Sequence, residues 1–215
     1  HAYDALEHTA RVCRGCEEFE GWVVSPELRW AALLHDIAKP QTFSIDETGR
    51  GHFFGHPRVG ATVAQKIMRR LSLPNDLIRP VCMLVRMHDH VVVATPRSVR
   101  RTLRKFELAC PGRAISLSYQ LLDLKRADAV SKVASAAGYA VELDKVSAAL
   151  RREVAAGAPV SIRDLAVDGA DVMREMKIDQ GPAIGLVLDT LLAAVINDGV
   201  PNDRNVLLSY LRARA

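Results

Sequence analysis

The chain has 215 residues, of which 49% are hydrophobic and 25% charged, so it can bury a sizeable core as one or two domains. No apolar stretch approaches the roughly 18 to 20 residues that a membrane-spanning helix needs, and no basic-then-apolar leader opens the sequence, so we expect a cytoplasmic protein without a membrane partner. A formal net charge of +4 permits a phosphate-bearing partner but does not require one. Because position 1 is not Met, we interpret the chain as processed or as a piece of a longer protein.

Apolar residues recur at helical spacing, and no convincing alternating pattern indicates a strand, so we expect an all-α fold. Ser25-Pro26 marks a helix start, because serine caps a helix and proline suits its first turn. Residues 41–55 contain three glycines and are predicted to form a loop, and 155–161 is the best candidate linker. The predicted helices cover residues 4–17, 25–39, 56–71, 74–90, 97–109, 114–136 and 139–155, with shorter pieces at 161–165, 168–177, 182–199 and 202–214.

His35 is followed directly by Asp36 at the end of the apolar segment WAALL. Two polar groups in this position would be buried at a cost unless something compensates them. Neighbouring side chains on a regular helix diverge by about 100 degrees, so both can reach one ion only near a helix end. Lys39-Pro40 supplies that end. We therefore predict that His35 and Asp36 bind a divalent cation.

Further candidate ligands lie on other predicted helices, and a cluster drawn from several rigid helices is what a fixed coordination geometry requires. They are His8, His56, His88 and Asp128. Each has another interpretation by itself. His8 could be a core or surface histidine, and His56 could cap its helix from a surface loop. Asp128 could pair with Lys125 or Arg126 at the surface.

Three polar residues, His88, Asp89 and His90, compete for one inward position at the end of the fourth long helix. His88 lies four residues after Leu84 and three after Val85, so it shares their helix face. We therefore favour His88 as the residue that faces the metal, with the phosphate group as its alternative partner.

Mixed imidazole and carboxylate ligation suits Mn, Fe, Co, Ni or Zn better than Mg alone, and we expect one or two ions. Such an ion lowers the pKa of a bound water towards about 7 and polarises a phosphoryl oxygen, so hydrolysis of a phosphate ester is its natural use. We predict catalytic roles for Asp36, Lys39 and His56. Lys39 is either a solvated charge or, as we favour, a group that neutralises phosphate and protonates the leaving oxygen.

A basic stripe is predicted on the helix at 97–109. Its members follow i, i+3, i+4, i+7 and i+8 spacing, with apolar residues on the opposite side of the helix. They are Arg97, Arg100, Arg101, Arg104 and Lys105. The stripe is either a solvated face or a surface that follows an RNA backbone, in which case binding should weaken steeply with salt.

The ordered set His8, His35-Asp36 and Asp128 resembles the HD superfamily of metal-dependent phosphohydrolases, which is named for that dipeptide. More narrowly, the chain resembles the HD and C-terminal regions of bacterial tRNA nucleotidyltransferases, the CCA-adding and poly(A) polymerase family. The stretches that carry this resemblance are EHT at 7–9, LRWAALLHDIAKPQTF at 28–43, GHFFGHPRVGA at 51–61, RLSLPND at 70–76, LLDLKRADA at 121–129 and VDGADVMREMKIDQGPAIGLVLDTLLAAV at 167–195.

The resemblance implies an HD phosphohydrolase-like helical bundle over residues 1–136 and a smaller helical, tRNA-binding-like body over 137–215. In some members the HD domain hydrolyses 2',3'-cyclic phosphates and 2'-phosphomonoesters, and in others the motif is degraded and the domain is structural; here the motif is intact. Nothing in the chain corresponds to the family's nucleotide-adding head, so we do not expect it to add CCA by itself. The implied substrate is tRNA or a nucleotide phosphate. A non-catalytic tRNA-holding module and a nucleotide phosphohydrolase remain alternatives, and the oligomeric state stays open.

Overall fold

A computed structural model of the chain describes residues 4–17, 25–132, 137–197 and 199–214. Within those residues the structure is built from helices, which confirms the all-α prediction. They are α1 (Ala5–Glu17), α2 (Pro26–Leu34), α3 (Lys39–Thr42), α4 (His56–Arg70), α5 (Asn75–Met87), α6 (Pro96–Ala109), α7 (Ala114–Lys132), α8 (Ala137–Ala155), α9 (Gly169–Met176), α10 (Pro182–Ile196) and α11 (Arg204–Arg212), with a 3-10 turn at Ile162–Asp164. None of these helices combines the length and the apolar character that crossing a membrane would need.

Buried apolar side chains form two clusters. The larger lies among α1, α2 and α4 to α8, and includes the fully buried Phe106 and Met68. The smaller lies among α9, α10 and α11, around Leu191. α8 contributes to the larger cluster, and the residues of the smaller cluster begin at Leu165, after the predicted linker at 155–161. The division into two domains itself stays a prediction.

The second helix is shorter than its apolar pattern indicates. Ser25 caps α2 as predicted, but α2 ends at Leu34. The backbone then turns, with Lys39 N–H donating to the Asp36 carbonyl at 3.0 Å, and α3 begins at once. Pro40 therefore lies in the first turn of α3, whereas we predicted that it stops α2. Pro40 has no N–H for the Asp36 carbonyl, which disfavours an α-helix running through this residue.

The predicted loop at 41–55 contains a small hairpin that we did not anticipate. Strands β1 (Ser44–Ile45) and β2 (Gly51–His52) pair antiparallel. Asp46 closes the turn between them, because its carboxylate accepts the N–H of Arg50 at 3.0 Å. Two-residue strands carry too few residues for a period-2 pattern to be recognisable in the sequence.

Helix packing determines where the polar candidates meet. α1 packs along α7, α2 along α5, and α4 along α5. These contacts bring the early part of α1, the turn after α2, the start of α4, the end of α5 and the later part of α7 to one side of the larger cluster.

Candidate metal centre

Asp36 lies at the centre of a polar cluster, and its two carboxylate oxygens face different groups. Oδ2 lies 3.5 Å from His8 Nε2 and 3.2 Å from His35 Nε2. Asp128 closes this side, with Oδ1 at 3.2 Å from His8 Nε2 and 3.8 Å from His35 Nε2. Three predicted ligands and Asp36 thus surround one point, which we call the first subsite.

The other oxygen of Asp36 faces a second group. Oδ1 lies 3.4 Å from His56 Nε2 and 3.6 Å from His88 Nε2, and the two imidazole nitrogens are 3.1 Å apart. We call this group the second subsite. The structure therefore brings all six predicted ligands together, with Asp36 shared between two sets that have metal-ligand spacing.

Three of the imidazoles have a defined tautomer, because Nδ1 meets a backbone carbonyl oxygen three residues earlier. The distances are 2.9 Å from His35 to Ala32, 2.8 Å from His56 to Phe53 and 2.7 Å from His88 to Val85. A carbonyl oxygen can only accept, so Nδ1 carries the proton in each ring. In the neutral imidazole, Nε2 then presents a lone pair to Asp36.

His8 has the same tautomer, but a side chain rather than a backbone carbonyl defines it. Its Nδ1 lies 3.0 Å from the Ser131 hydroxyl, and that hydroxyl donates its only proton to the Asp128 carbonyl at 2.7 Å. Ser131 can therefore serve His8 only as an acceptor, which makes Nδ1 of His8 the donor. The Nε2 lone pair of His8 consequently points at the two carboxylates.

Lone pairs that face carboxylate oxygens, and each other, repel unless a positive charge lies between them. Nε2 of His8 and Nε2 of His35 are buried, and among the described residues neither has a hydrogen-bond partner of good geometry. Orienting hydrogen bonds on Nδ1 with Nε2 left for a cation is the arrangement that metal-binding histidines adopt. The residues present therefore fit one or two divalent ions.

Without an ion, protons supply the positive charge. Asp128 and then Asp36 outweigh burial and raise the pKa of His8 to about 8. Burial opposes the ionisation of Asp36, but the surrounding imidazoles outweigh it and hold the pKa of that carboxyl well below its usual range. Burial lowers the pKa of His88, whereas Asp36 overcomes burial and raises the pKa of His56.

The sequence model of the family described as "tRNA nucleotidyltransferase domain 2 putative" matches residues 58–211. The chain belongs to this family. It is similar to the A-adding tRNA nucleotidyltransferase of Deinococcus radiodurans, with 34% identity over 168 residues that cover 78% of this chain and 37% of the relative. It is also similar to the CC-adding tRNA nucleotidyltransferase of Thermus thermophilus, with 33% identity over 195 residues, or 89% of this chain and 42% of the relative. The chain thus spans about two fifths of the length of these relatives.

Lys39 lies beside the cluster. Its ammonium is 2.6 Å from Asp36 Oδ2 and 5.6 Å from the centre of the Phe53 ring. The side chain is largely buried, with 18% of its surface exposed, so it is not the solvated charge of the alternative interpretation. Its catalytic role stays a prediction.

The arginine stripe on α6 contacts α10 and the residue that caps the end of that helix. Arg97 and Arg101 both donate to the Asn197 side chain, at 3.4 and 2.8 Å. Arg104 pairs with Asp189 of α10 at 2.8 Å. The stripe thus contacts α10 and its C-cap, while Arg97, Arg101 and Lys105 remain exposed. Binding of RNA by these residues stays a prediction.

The remaining basic residues of the stripe are also engaged. Arg100 forms an ion pair with Glu153 of α8 at 2.6 Å, and Lys105 lies 3.0 Å from His90 Nε2. Glu153 is largely buried, so this pair anchors α8 to α6. His90 therefore points away from the cluster, as the preference for His88 predicted.

Two residues that support the cluster were not predicted. Ser131 orients His8, and Lys125 is buried and donates to the His88 carbonyl at 2.6 Å. Their spacing along α7 indicates that both residues face the same side as Asp128, because positions 125, 128 and 131 are three residues apart and share one helix face. A buried lysine is unusual without a partner, but sequence alone does not show which lysines are buried.

Proposed function

We propose that the chain is the HD-type phosphohydrolase region of a tRNA nucleotidyltransferase-like protein, and that it hydrolyses 2',3'-cyclic phosphodiesters or phosphomonoesters at an RNA end. The observation that carries the proposal is the arrangement around Asp36, where imidazole lone pairs face both oxygens of one carboxylate. The similarity to two tRNA nucleotidyltransferases supports tRNA as the substrate.

Each subsite would hold one divalent ion. The first would use His8, His35, Asp128 and Oδ2 of Asp36, and the second would use His56, His88 and Oδ1 of Asp36. Nitrogen and oxygen ligands in this mixture favour Mn, Fe, Co, Ni or Zn over Mg. When bound, such ions lower the pKa of water towards about 7 and polarise a phosphoryl oxygen.

The protein's own groups supply the charge balance and the proton. A water oxygen forms the new bond to phosphorus and its proton passes to solvent, while the bond from phosphorus to the ribose oxygen breaks. Lys39 neutralises the arriving phosphate and donates a proton to the leaving oxygen. Asp36 belongs to both subsites and thereby fixes the distance between them. His56 contributes to positioning the phosphate beside them.

The direct test measures hydrolysis of a 2',3'-cyclic nucleotide by the purified protein with Mn²⁺ or Ni²⁺. We expect the double substitution His35→Ala with Asp36→Ala to reduce kcat/KM by about 10³-fold or more, because the first subsite loses two ligands and the second subsite loses one. His52→Ala is the matched control, because His52 lies on β2 and bonds Asp46 rather than the cluster. Equal rates for the double variant and the unaltered protein would contradict the proposal that the cluster catalyses hydrolysis.

A non-catalytic tRNA-holding module is a second candidate, and one observation favours it. The cluster joins four helices and the turn after α2, so an ion there would tie the helices together even without turnover. This candidate predicts tRNA binding that survives the double substitution and no hydrolysis by the unaltered protein. Measuring both properties on the same preparations separates the two functions.

A further inference from the structure

A wide groove crosses the surface of α4, α5 and α6. It consists of two adjoining cavities of about 780 Å³ and about 440 Å³, which share Met83, Arg86 and Ala109 as lining residues. The first cavity alone lies towards the upper end of the roughly 300 to 1,000 Å³ that small-molecule sites occupy. We call the two cavities together the α4–α6 groove.

The charged lining of the α4–α6 groove is mostly positive. It contains Arg58, Arg79, Arg86 and Lys105 against a single carboxylate, that of Asp89. Three of these cations are exposed guanidinium groups. Concave surfaces lined by one sign of charge concentrate ligands of the opposite sign, and guanidinium groups suit phosphate because they can donate two parallel hydrogen bonds.

These three arginines differ from those of the α6 stripe. Arg104 of the stripe pairs with Asp189 of the protein itself. By contrast, within the described parts of the chain no carboxylate forms an ion pair with Arg58, Arg79 or Arg86. Their charge therefore remains available to a ligand.

The spacing of the arginines indicates a ligand with several phosphates. Arg79 and Arg86 are seven residues apart on α5, so they share one face and are separated by about 10 Å along the helix axis. Arg58 approaches the same groove from α4. Apolar side chains of Met83 and Leu108 lie between the charges and offer surfaces on which bases could pack.

The first cavity of the α4–α6 groove is lined by sequence neighbours of two metal-centre residues. Pro57 lines the groove and directly follows His56, and Met87 and Asp89 line it on either side of His88. A strand in the groove would thus pass the segments of α4 and α5 that carry His56 and His88, although neither imidazole lines the groove itself.

We propose that the α4–α6 groove binds the phosphodiester backbone of a single-stranded RNA and delivers its end to the Asp36 cluster. The delivery step rests on the proposed phosphohydrolase function, whereas the binding step does not. The substrate class is then an RNA strand end rather than a free mononucleotide.

The experiment measures binding of a labelled single-stranded RNA of about 12 nucleotides by fluorescence anisotropy, in EDTA, between about 50 and 200 mM salt. We expect Arg79→Ala with Arg86→Ala to weaken binding about ten- to a hundredfold at the lowest salt. The slope of log K against log salt should become shallower by about 1.4, because each single-strand phosphate contact contributes about 0.7. Arg79→Lys with Arg86→Lys should retain most of the slope, because lysine keeps the charge.

Arg70→Ala is the matched control, because Arg70 is an exposed arginine of α4 outside the groove lining, and it should bind RNA like the unaltered protein. Equal binding by the double alanine variant would overturn the proposal. So would displacement of RNA by polyglutamate as efficient as that by polyadenylate, which would indicate an acidic protein as the ligand.

The two proposals fail in different ways. If the unaltered protein binds RNA through these arginines but never hydrolyses it, RNA binding by the groove is supported and the proposed phosphohydrolase activity is contradicted. If hydrolysis depends on His35 and Asp36 while the arginine substitutions change neither RNA binding nor its salt dependence, only the proposal that the groove binds RNA is contradicted.

Discussion

At the scale of single residues, the cluster depends on hydrogen bonds that the imidazoles make away from it. His35, His56 and His88 use the carbonyl of their own preceding turn, so their orientation is built into the local backbone. His8 depends on Ser131, a residue of another helix that the sequence did not single out. His8 is therefore the imidazole whose orientation a single distant substitution can change.

Ser131→Ala should weaken metal binding. The substitution removes the acceptor for His8 Nδ1, so the ring can rotate or change tautomer and no longer holds Nε2 towards Asp128. Loss of such an orienting contact costs about 10- to 100-fold in metal affinity. Titration with Mn²⁺ against a competing chelator measures this, and Ser116→Ala, which removes an exposed hydroxyl on the same helix, is the control. An unchanged affinity would show that Ser131 does not orient His8.

Metal affinity should also rise with pH up to about 8. Because Asp128 and Asp36 raise the pKa of His8 to about 8, the metal-free protein holds a proton there that a metal ion must displace. Each displaced proton changes the affinity about tenfold per pH unit below that pKa. The stability of the metal-free protein should change in the opposite direction. Because the pKa of His8 is raised, its proton stabilises the fold fully below pH 6.5, and that contribution is lost as the pH rises through about 8. Chelator titrations and thermal denaturation over this range check both signs.

At the scale of elements, the break after α2 decides the position of the central ligand. A helix that continued to residue 39 would carry His35 and Asp36 on faces about 100 degrees apart. Ending α2 at Leu34 lets both side chains turn towards the same cluster, and the short helix α3 then places Lys39 against Asp36.

Pro40→Ala should therefore damage the site although Pro40 is not one of the six predicted ligands. Alanine restores an N–H that can donate to the Asp36 carbonyl, so α2 can extend and rotate Asp36 out of place. We expect metal affinity to fall by about tenfold or more and helical circular dichroism to rise slightly. Pro96→Ala is the control, because Pro96 lies in the first turn of α6, where the missing donor has no helical partner. Unchanged affinity would mean that other contacts hold the turn.

At the scale of the whole molecule, polar contacts join the two buried clusters. The α6 stripe reaches α8 and α10, while the small cluster of α9 to α11 has its own ion pair, between a buried carboxylate and an arginine side chain that is half exposed. In that pair, Asp171 is almost fully buried and accepts from Arg204 at 2.7 and 2.6 Å and from Arg174. The site and this pair lie in different clusters, so their stabilities can be tested separately.

Asp171→Asn should destabilise the C-terminal cluster by about 1 to 3 kcal/mol and leave the metal affinity unchanged. Burial opposes ionisation of Asp171, but Arg204 outweighs it and lowers the pKa of the carboxyl. A lowered pKa stabilises the fold above about pH 3.9 and loses that contribution as pH falls further, so the variant should be less sensitive to acid. Hydrogen exchange should localise the effect to α9–α11. Asp179→Asn, an exposed position, is the control, and an equal effect there would contradict the assignment.

The sequence by itself determined the helical class and most helix positions, because these follow from local periodicity and caps. The resemblance carried by the ordered polar residues indicated Asp36 and the five residues that meet at it. The sequence did not reveal the end of α2 at Leu34, the hairpin at 44–52 or the buried Lys125, since each depends on contacts between segments distant in sequence or on backbone bonds without a periodic signal. The tertiary structure alone decided which arginines are available, because a charge stripe looks the same in sequence whether it faces solvent, RNA or another helix. On α6 the partners are Asn197, Glu153 and Asp189, and only packing could bring those residues within reach.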